Sequence, residues 1–162
     1  MFKSHQQVRA IAERAREEAR TAGSPTLEAE HILLAIASEQ GTPAQQVLAS
    51  AGLDHEAIGE ALEAEFADSL LGVGVSLSAF DLRHPTNPPA RTPRWSQSAK
   101  LAFQRAADVV AANRDRRLEG THLLLGVLRA QIGTVPRALA LAGVDQAALT
   151  ADAEQALHAS RV

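Results

Sequence analysis

The chain carries the same sequence pattern twice. When residues 5–66 are shifted forward by 91 positions, they align with residues 96–157 without a gap, and 16 of the 62 pairs are identical. An ungapped internal repeat of this length predicts one supersecondary unit that is used twice. The repeated residues include Leu27, Glu28, His31, Leu33, Leu34, Leu48, Gly52 and Asp54, which return as Leu118, Glu119, His122, Leu124, Leu125, Leu139, Gly143 and Asp145.

Each copy is too small to build a large core of its own. The whole chain has 162 residues, so each half is near the size at which a separate hydrophobic core becomes marginal. Hydrophobic residues make up 46% of the chain and aromatic residues only 3%, which favours closely packed helices over a β-fold. We therefore expect a single domain over residues 1–162, with repeat one at 1–66, a linker at 67–95 and repeat two at 96–162.

The hydrophobic pattern predicts four helices in each copy. Apolar residues recur at helical spacing over residues 8–19, and the apolar run at 32–37 predicts a central buried helix with Thr26 as its N-cap. Pro43 opens a short third helix, and Asp54 caps a fourth. In the second copy the corresponding helices span about residues 96–113, 119–129, 134–143 and 145–157. The predicted fold is all-α, with about eight helices in two tandem, pseudo-twofold-related sets of four that share one core.

Composition argues against several classes of partner and compartment. The net charge is −3, and the one basic cluster, residues 114–117, contains Asp115, so we expect no nucleic-acid partner. The absence of Cys excludes disulfides and thiolate chemistry. The N-terminus lacks an apolar signal segment and no stretch has the length of a membrane span, so we expect a cytoplasmic protein with no membrane partner.

The sequence offers no recognisable catalytic machinery. It contains no motif that pairs a nucleophile with a base, no pattern of paired catalytic carboxylates and no cofactor loop. Its two lysines, Lys3 and Lys100, are not in the glycine-rich loop that ATP hydrolysis requires. We therefore expect a protein that is not an enzyme and that carries no cofactor.

A metal site is the alternative to a binding module. Segments 28–31 and 119–122 both read Glu-x-x-His, the spacing found twice in di-iron four-helix proteins. Such a site also needs a Glu from each of two further helices; Glu17 or Glu18 could supply one, and Asp108 is a poor second. Each segment instead begins a short helix, where a carboxylate is favoured by the helix dipole and a His commonly fixes a loop. We therefore prefer a structural role for both segments and expect no bound metal.

The repeated motifs resemble the N-terminal domain of Clp unfoldases of the ClpC and ClpA type. In that family each copy reads roughly Gly-Thr-Glu-His followed by Ile-Leu-Leu-Gly-Leu; here residues 28–36 read Glu-Ala-Glu-His-Ile-Leu-Leu-Ala-Ile and residues 119–127 read Glu-Gly-Thr-His-Leu-Leu-Leu-Gly-Val. Residues 93–100 also look like the opening of the family's second copy. The resemblance implies a module that docks substrates and adaptors for a Clp-type unfoldase and protease. Without the ATPase motif, the chain looks like a free-standing Clp N-domain, a kind of protein common in actinobacteria.

The resemblance also implies a ligand-binding acid. In ClpC-type members this domain binds phosphorylated arginine, and the acidic residue of the Glu-His pair takes part. A carboxylate suits the fork of donors on a guanidinium group. Glu30 keeps this acid in the first copy, whereas Thr121 stands at the matching position of the second. We therefore expect at most one phosphoarginine pocket, at Glu30, with Thr121 at the equivalent position.

A second set of candidate ligand residues lies near the first helix of each copy. Trp95 and Ser96 keep the family's aromatic-hydroxyl pair, and Ser4 and His5 occupy the corresponding positions of the first copy. In relatives, aromatic residues in this region hold cyclic peptides, so Phe2 and Trp95 are expected to contact a ligand of that kind. Two roles are compatible with these residues: delivery of proteins to a Clp protease, or capture of ligands that would otherwise occupy the unfoldase.

Overall fold

The computed structural model describes residues 3–74 and 92–161, and these residues form eight α-helices and one pair of short parallel strands. The helices of repeat one are α1 (Lys3–Thr21), α2 (Ala29–Ser38), α3 (Pro43–Ser50) and α4 (His55–Gly72). Those of repeat two are α5 (Gln97–Asn113), α6 (Gly120–Leu128), α7 (Thr134–Leu141) and α8 (Gln146–Ala159). Strands β1 (Thr26–Leu27) and β2 (Arg94–Trp95) lie between helices. The all-α prediction is confirmed.

The helices are arranged with pseudo-twofold symmetry. The central helices α2 and α6 pack against each other, and each is covered by the first helix of its own repeat, α1 or α5. Across the repeats, α3 packs on α8 and its counterpart α7 packs on α4. Each of these contacts between the halves has its repeat-related equivalent, so the two sets of four helices share one core, as the internal repeat predicted.

The core is built from small and branched aliphatic side chains. The run His31–Ala37 of α2 is buried without interruption, and every residue of α6 is buried. Helices α5 and α6 are in close contact at Gly126, where an added Cβ would lie 2.1 Å from the carbonyl oxygen of Ala102. A side chain at position 126 is therefore incompatible with this spacing.

The two repeats exchange hydrogen bonds at the starts of their central helices. The side-chain oxygen of Ser98 in α5 accepts a bond from the backbone N–H of Ala29, the first residue of α2, at 2.9 Å. At the equivalent position of the other repeat, the Gln7 side chain in α1 accepts one from the N–H of Gly120, the first residue of α6, at 3.3 Å. Each half thus satisfies a backbone donor that the other half cannot satisfy within its own helix.

Most predicted helix starts are confirmed, with one exception. Thr42 and Asp54 cap α3 and α4 through the backbone N–H groups of Gln45 and Ala57. The expectation that Thr26 caps α2 was wrong, because the N-cap is Glu28.

The exception is explained by a pair of strands that the sequence did not indicate. Strand β1 pairs in parallel with β2, in the register Thr26 to Arg94 and Leu27 to Trp95. This pairing keeps the chain extended through Leu27 and delays the start of α2. Two-residue strands carry no alternating pattern, so periodicity could not reveal them.

The end of repeat one also differs from the prediction. Helix α4 continues to Gly72 and so includes the first six residues of the stretch 67–95 that was expected to be a linker. Residues 75–91, within that stretch, and Phe2 lie outside the described residues. Among the helices of the described ranges, none combines the length and the apolar character that a membrane crossing requires.

Candidate functional site

A hydrogen-bonded cluster surrounds Glu28 at the start of α2. Its carboxylate accepts bonds from the hydroxyls of Thr26 at 2.8 Å and Ser98 at 2.5 Å. Its backbone N–H donates to Nδ1 of His31 at 2.9 Å. The cluster joins β1, α2 and α5, and so brings together residues from both repeats.

These hydrogen bonds control the charge of Glu28. Partial burial disfavours its ionised form, but hydrogen bonds from Ser96, Ser98 and Thr26 outweigh burial and hold its pKa below the usual range. Glu28 is therefore a fixed negative charge at the positive end of α2.

Both Glu-x-x-His segments are helix caps. His31 Nδ1 accepts from Glu28 N–H, and His122 Nδ1 accepts from Glu119 N–H at 3.0 Å, so each segment forms a reciprocal capping box. Since Nδ1 of His122 is an acceptor, its Nε2 carries the proton and donates to Asp115 at 3.0 Å. Within 3–74 and 92–161, no group of three or more His, Asp or Glu side chains is placed to hold a metal ion. The described residues thus give both motifs a structural role and do not support the di-iron alternative.

An open groove of about 620 Å³ lies beside the Glu28 cluster, where the two repeats meet. Its walls come from the start of α2, from α5 and from the loop and first turn of α7. The exposed side chain of Ile132 lies at its edge. The polar side chains that line the groove are those of Ser24, Glu28, Glu30, Ser98, Arg105, Thr134 and Arg137. The groove therefore offers carboxylates, guanidinium groups and hydroxyls within one space.

Glu30 is the acid with the most perturbed ionisation in this groove. Burial raises its pKa, the negative charges of Glu28 and Glu65 add to this effect, and the resulting pKa is about 7. The positive charge of Arg137 and a hydrogen bond with Thr134 act in the opposite direction. A carboxyl group in this position is poorly solvated, so an added cation would stabilise its charged form strongly.

A second carboxylate, Glu65, lies close enough to influence Glu30. The Glu65 side chain in α4 is only 7% exposed, and one of its oxygens accepts bonds from Arg137 Nε at 2.8 Å and from the Ser69 hydroxyl at 2.6 Å. Arg137 belongs to α7, so this ion pair links repeat one to repeat two. Removing one partner of such a pair would leave a buried charge uncompensated.

The charged cluster formed by Glu30, Glu65 and Arg137 exists in only one half of the molecule. The 91-residue offset relates each of its three members to an uncharged residue. Glu30, Glu65 and Arg137 correspond to Thr121, Ala156 and Gln46, respectively. The second groove-like region, which includes Gln46 and Ala156 between α3 and α8, therefore lacks all three charges.

Only some of the residues that the sequence predicted as ligand contacts lie at the groove. Glu30 lines the groove, and Ser96 lies beside it, because its hydroxyl is 3.0 Å from that of Ser98 and caps α5. Thr121, in contrast, is 4% exposed within α6 and cannot contact a ligand in this arrangement.

The remaining nominated residues are placed less centrally. Trp95 is half-buried, with its ring edge-on to that of Phe103 at a centroid distance of 4.9 Å. His5 is exposed on α1. The backbone of Ser4 belongs to α1, and Phe2 lies outside the described residues.

Sequence reasoning missed four groove or cluster residues: Glu65, Ser98, Arg105 and Arg137. Ser98 reaches Glu28 across 70 positions of the chain, and Arg137 reaches Glu65 across 72, distances at which no local pattern operates. The alignment of the two copies did contain one usable signal: Glu65 and Arg137 are charged, whereas the residues aligned with them in the other copy are not.

Comparison with known proteins agrees with this fold. The family described as the Clp repeat (R) N-terminal domain matches residues 3–74. The N-terminal domain of the caseinolytic protease associated chaperone ClpD from Arabidopsis thaliana is similar, with 18% identity, a TM-score of 0.69, and coverage of 94% of this chain and 93% of that one. The Hsp104 N-terminal domain from Candida albicans has 19% identity, a TM-score of 0.64, and coverage of 91% and 86%. No curated protein matches closely enough to count as a relative. Residues 3–74 thus match the Clp repeat (R) N-terminal domain family, and the described residues have a fold similar to that of the ClpD and Hsp104 N-terminal domains.

Proposed function

We propose that this chain is a non-catalytic, cytoplasmic protein-binding module of a Clp unfoldase and protease system. The family match over residues 3–74 supports this system, in which the partners are a Clp-type unfoldase, its clients and its adaptors. The observation that carries the proposal is the groove at the repeat junction, with the poorly solvated carboxyl group of Glu30 in its wall. The groove would hold a protein segment that presents a cationic side chain.

The chemistry of the groove favours a guanidinium group as the part that is recognised. A guanidinium group presents paired donors that match a carboxylate, and it is more weakly hydrated than an ammonium group. The groove also contains Arg105, whose positive charge suits an anionic group on the same ligand. Phosphoarginine combines both charges, so it is the finer form of this proposal. Since Thr121 is buried and uncharged at the position equivalent to Glu30, we expect one such site per chain.

Cyclic peptides are a weaker candidate. They would need the aromatic surface of Trp95, which Phe103 partly covers and which Ser96 follows in the chain. His5, the counterpart of Ser96 in repeat one, is exposed on α1. The groove at Glu30 therefore has the stronger physical basis.

Three peptides that differ at one residue test the proposal. The peptides carry arginine, phosphoarginine or neutral citrulline, and isothermal titration calorimetry measures their dissociation constants at pH 7.5. We expect the citrulline peptide to bind at least about tenfold more weakly, because it cannot form an ion pair with Glu30. Equal affinity for all three peptides would contradict the proposal.

A matched pair of variants localises the binding. Glu30→Gln should weaken the arginine and phosphoarginine peptides about tenfold and leave the citrulline peptide unchanged. Glu63→Gln, which removes the same charge from an exposed position of α4, should change none of the three affinities. Equal effects of the two substitutions on peptide affinity would mean that the peptides do not bind at Glu30.

Purification of the tagged chain from its own cells separates the two cellular roles. Delivery requires Clp subunits and a client in the same complex, whereas capture requires a ligand without Clp subunits. Catalysis has no part in either role.

A further inference from the structure

The Arg137 side chain occupies an unusual place beside the ligand groove. Its guanidinium group starts from α7, lines the groove and reaches the Glu65 carboxylate in α4. The Arg137 side chain is 56% exposed, whereas that of its partner Glu65 is 7% exposed. An exposed cation therefore neutralises a buried anion at the edge of the space that the proposed ligand enters.

The geometry of this pair leaves it open to competition. The contact joins one nitrogen, Nε, to one carboxylate oxygen, Oε1, and the Ser69 hydroxyl binds that same oxygen. A guanidinium group that approaches a carboxylate with two nitrogens binds it better than through a single bond. Because Arg137 is largely in contact with water, it loses little when it leaves Glu65, whereas the buried carboxylate requires a cation in its place.

We propose that Arg137 is an internal occupant of the site, which a cationic group of the ligand displaces from the Glu65 carboxylate. Binding is then an exchange of one guanidinium for another, and Arg137 lowers the affinity for any cationic ligand that cannot complete this exchange. The proposal rests on the proposed function, since it requires a cationic ligand in the groove.

The internal repeat supports the view that these charges act as a set. At the equivalent positions of the other half, both acids and the arginine are replaced together, by Thr121, Ala156 and Gln46. The other half of the scaffold therefore holds neutral residues at all three equivalent positions, and Gln46 is the residue equivalent to Arg137.

The first test compares two substitutions that remove the same charge. Arg137→Gln should tighten binding of the arginine peptide about fivefold to tenfold, because the ligand no longer competes with an internal cation. Arg129→Gln removes an arginine that does not line the groove and forms an exposed ion pair with Glu154 of α8, so it should change the affinity less than twofold. Equal or weaker binding by Arg137→Gln, relative to Arg129→Gln, would overturn the exchange.

The second test uses the unaltered chain and so does not depend on how a variant folds. Nitrogen-15 NMR detects the Arg137 Nε–H group, which is hydrogen-bonded to Glu65 in the structure. Saturation with the arginine peptide should shift this signal and speed its exchange with water, whereas the citrulline peptide should not. A signal that stays unchanged at saturation would also overturn the exchange.

The two proposals fail in different ways. If the unaltered chain binds the arginine and citrulline peptides equally, the proposed function falls and the exchange falls with it. If the arginine peptide is preferred but either the affinity of Arg137→Gln or the NMR signal fails to respond as expected, only the exchange falls.

Discussion

Glu28 and Glu30 are two residues apart on the same helical turn, yet their environments move their acidities in opposite directions. Hydrogen bonds from three hydroxyls overcome partial burial at Glu28 and stabilise its charge. Glu30 is more deeply buried and lies near two other carboxylates, so its neutral form is favoured and its pKa rises to about 7. Glu28 therefore holds the helix in place, while Glu30 can respond to a ligand.

The raised pKa of Glu30 predicts how stability depends on pH. Glu30 ionises near 4.5 when the chain is unfolded and near 7 when it is folded, so the folded state binds the proton more tightly. The resulting stabilisation is complete below the lower value and is lost as the pH rises through the higher one. Glu30→Gln should therefore raise the free energy of unfolding by about 2 kcal/mol at pH 8 and change it little at pH 5.

Urea unfolding at the two pH values, followed by the fluorescence of Trp95, measures this difference. The exposed-site variant Glu63→Gln serves as the control and should give the same small effect at both pH values. A larger gain from Glu30→Gln at pH 5 than at pH 8 would be inconsistent with the buried position of this acid.

At the scale of the helices, α5 and α6 are in close contact at Gly126. Gly126→Ala should lower the free energy of unfolding by more than about 3 kcal/mol, because the new methyl group would lie 2.1 Å from a backbone oxygen and the two helices would have to separate. Thermal unfolding in a differential scanning calorimeter measures the loss.

Gly59 in α4 provides the matched control. Nothing lies within 4 Å of a Cβ added there, so Gly59→Ala should raise the free energy of unfolding by about 0.5–1 kcal/mol through helix propensity alone. Similar effects of the two substitutions would mean that α5 and α6 are not in close contact at Gly126.

The helices differed in how well their sequence defined them. Starts marked by a local cap, as at Thr42 and Asp54, could be predicted because the signal and the structure lie within one turn. The start of α2 could not, since it depends on β1 pairing with a strand that is distant in sequence. The linker was expected to begin at residue 67 because the repeat alignment stops at residue 66, whereas α4 continues to Gly72 and is followed by Gly74 with its positive φ.

At the scale of the whole molecule, the shared core predicts that the two halves unfold together. Helices α2 and α6 bury each other, so neither repeat can lose its structure without exposing the central helix of the other. Native-state hydrogen exchange should give amides of α2 and α6 the same free energy of opening, within about 0.5 kcal/mol.

Gly126→Ala tests this coupling directly. The substitution lies in repeat two, but it should lower the opening free energies of α2 and α6 by equal amounts. Protection that falls in α6 alone would show that the repeats are separate folding units.

The candidate site was only partly predictable, because it is assembled from residues of both repeats. Glu30 could be nominated from its motif, because the motif is local. Arg137, Glu65 and Ser98 could not be assigned to its surroundings, because the two repeats bring them together only in the folded chain. Thr121 shows the converse: its motif position is equivalent to that of Glu30, but the packing around α6 buries it.

The N–H groups of Ala29 and Gly120 each bind a side chain of the other repeat. A symmetric homodimer of a single repeat would form the same reciprocal pair of hydrogen bonds across its twofold axis. Joining the two copies in one chain makes their meeting independent of protein concentration. It also frees the copies from having to carry identical residues. One junction can then hold two acids and an arginine while its counterpart has none of these three charges, an asymmetry that two identical subunits could not encode.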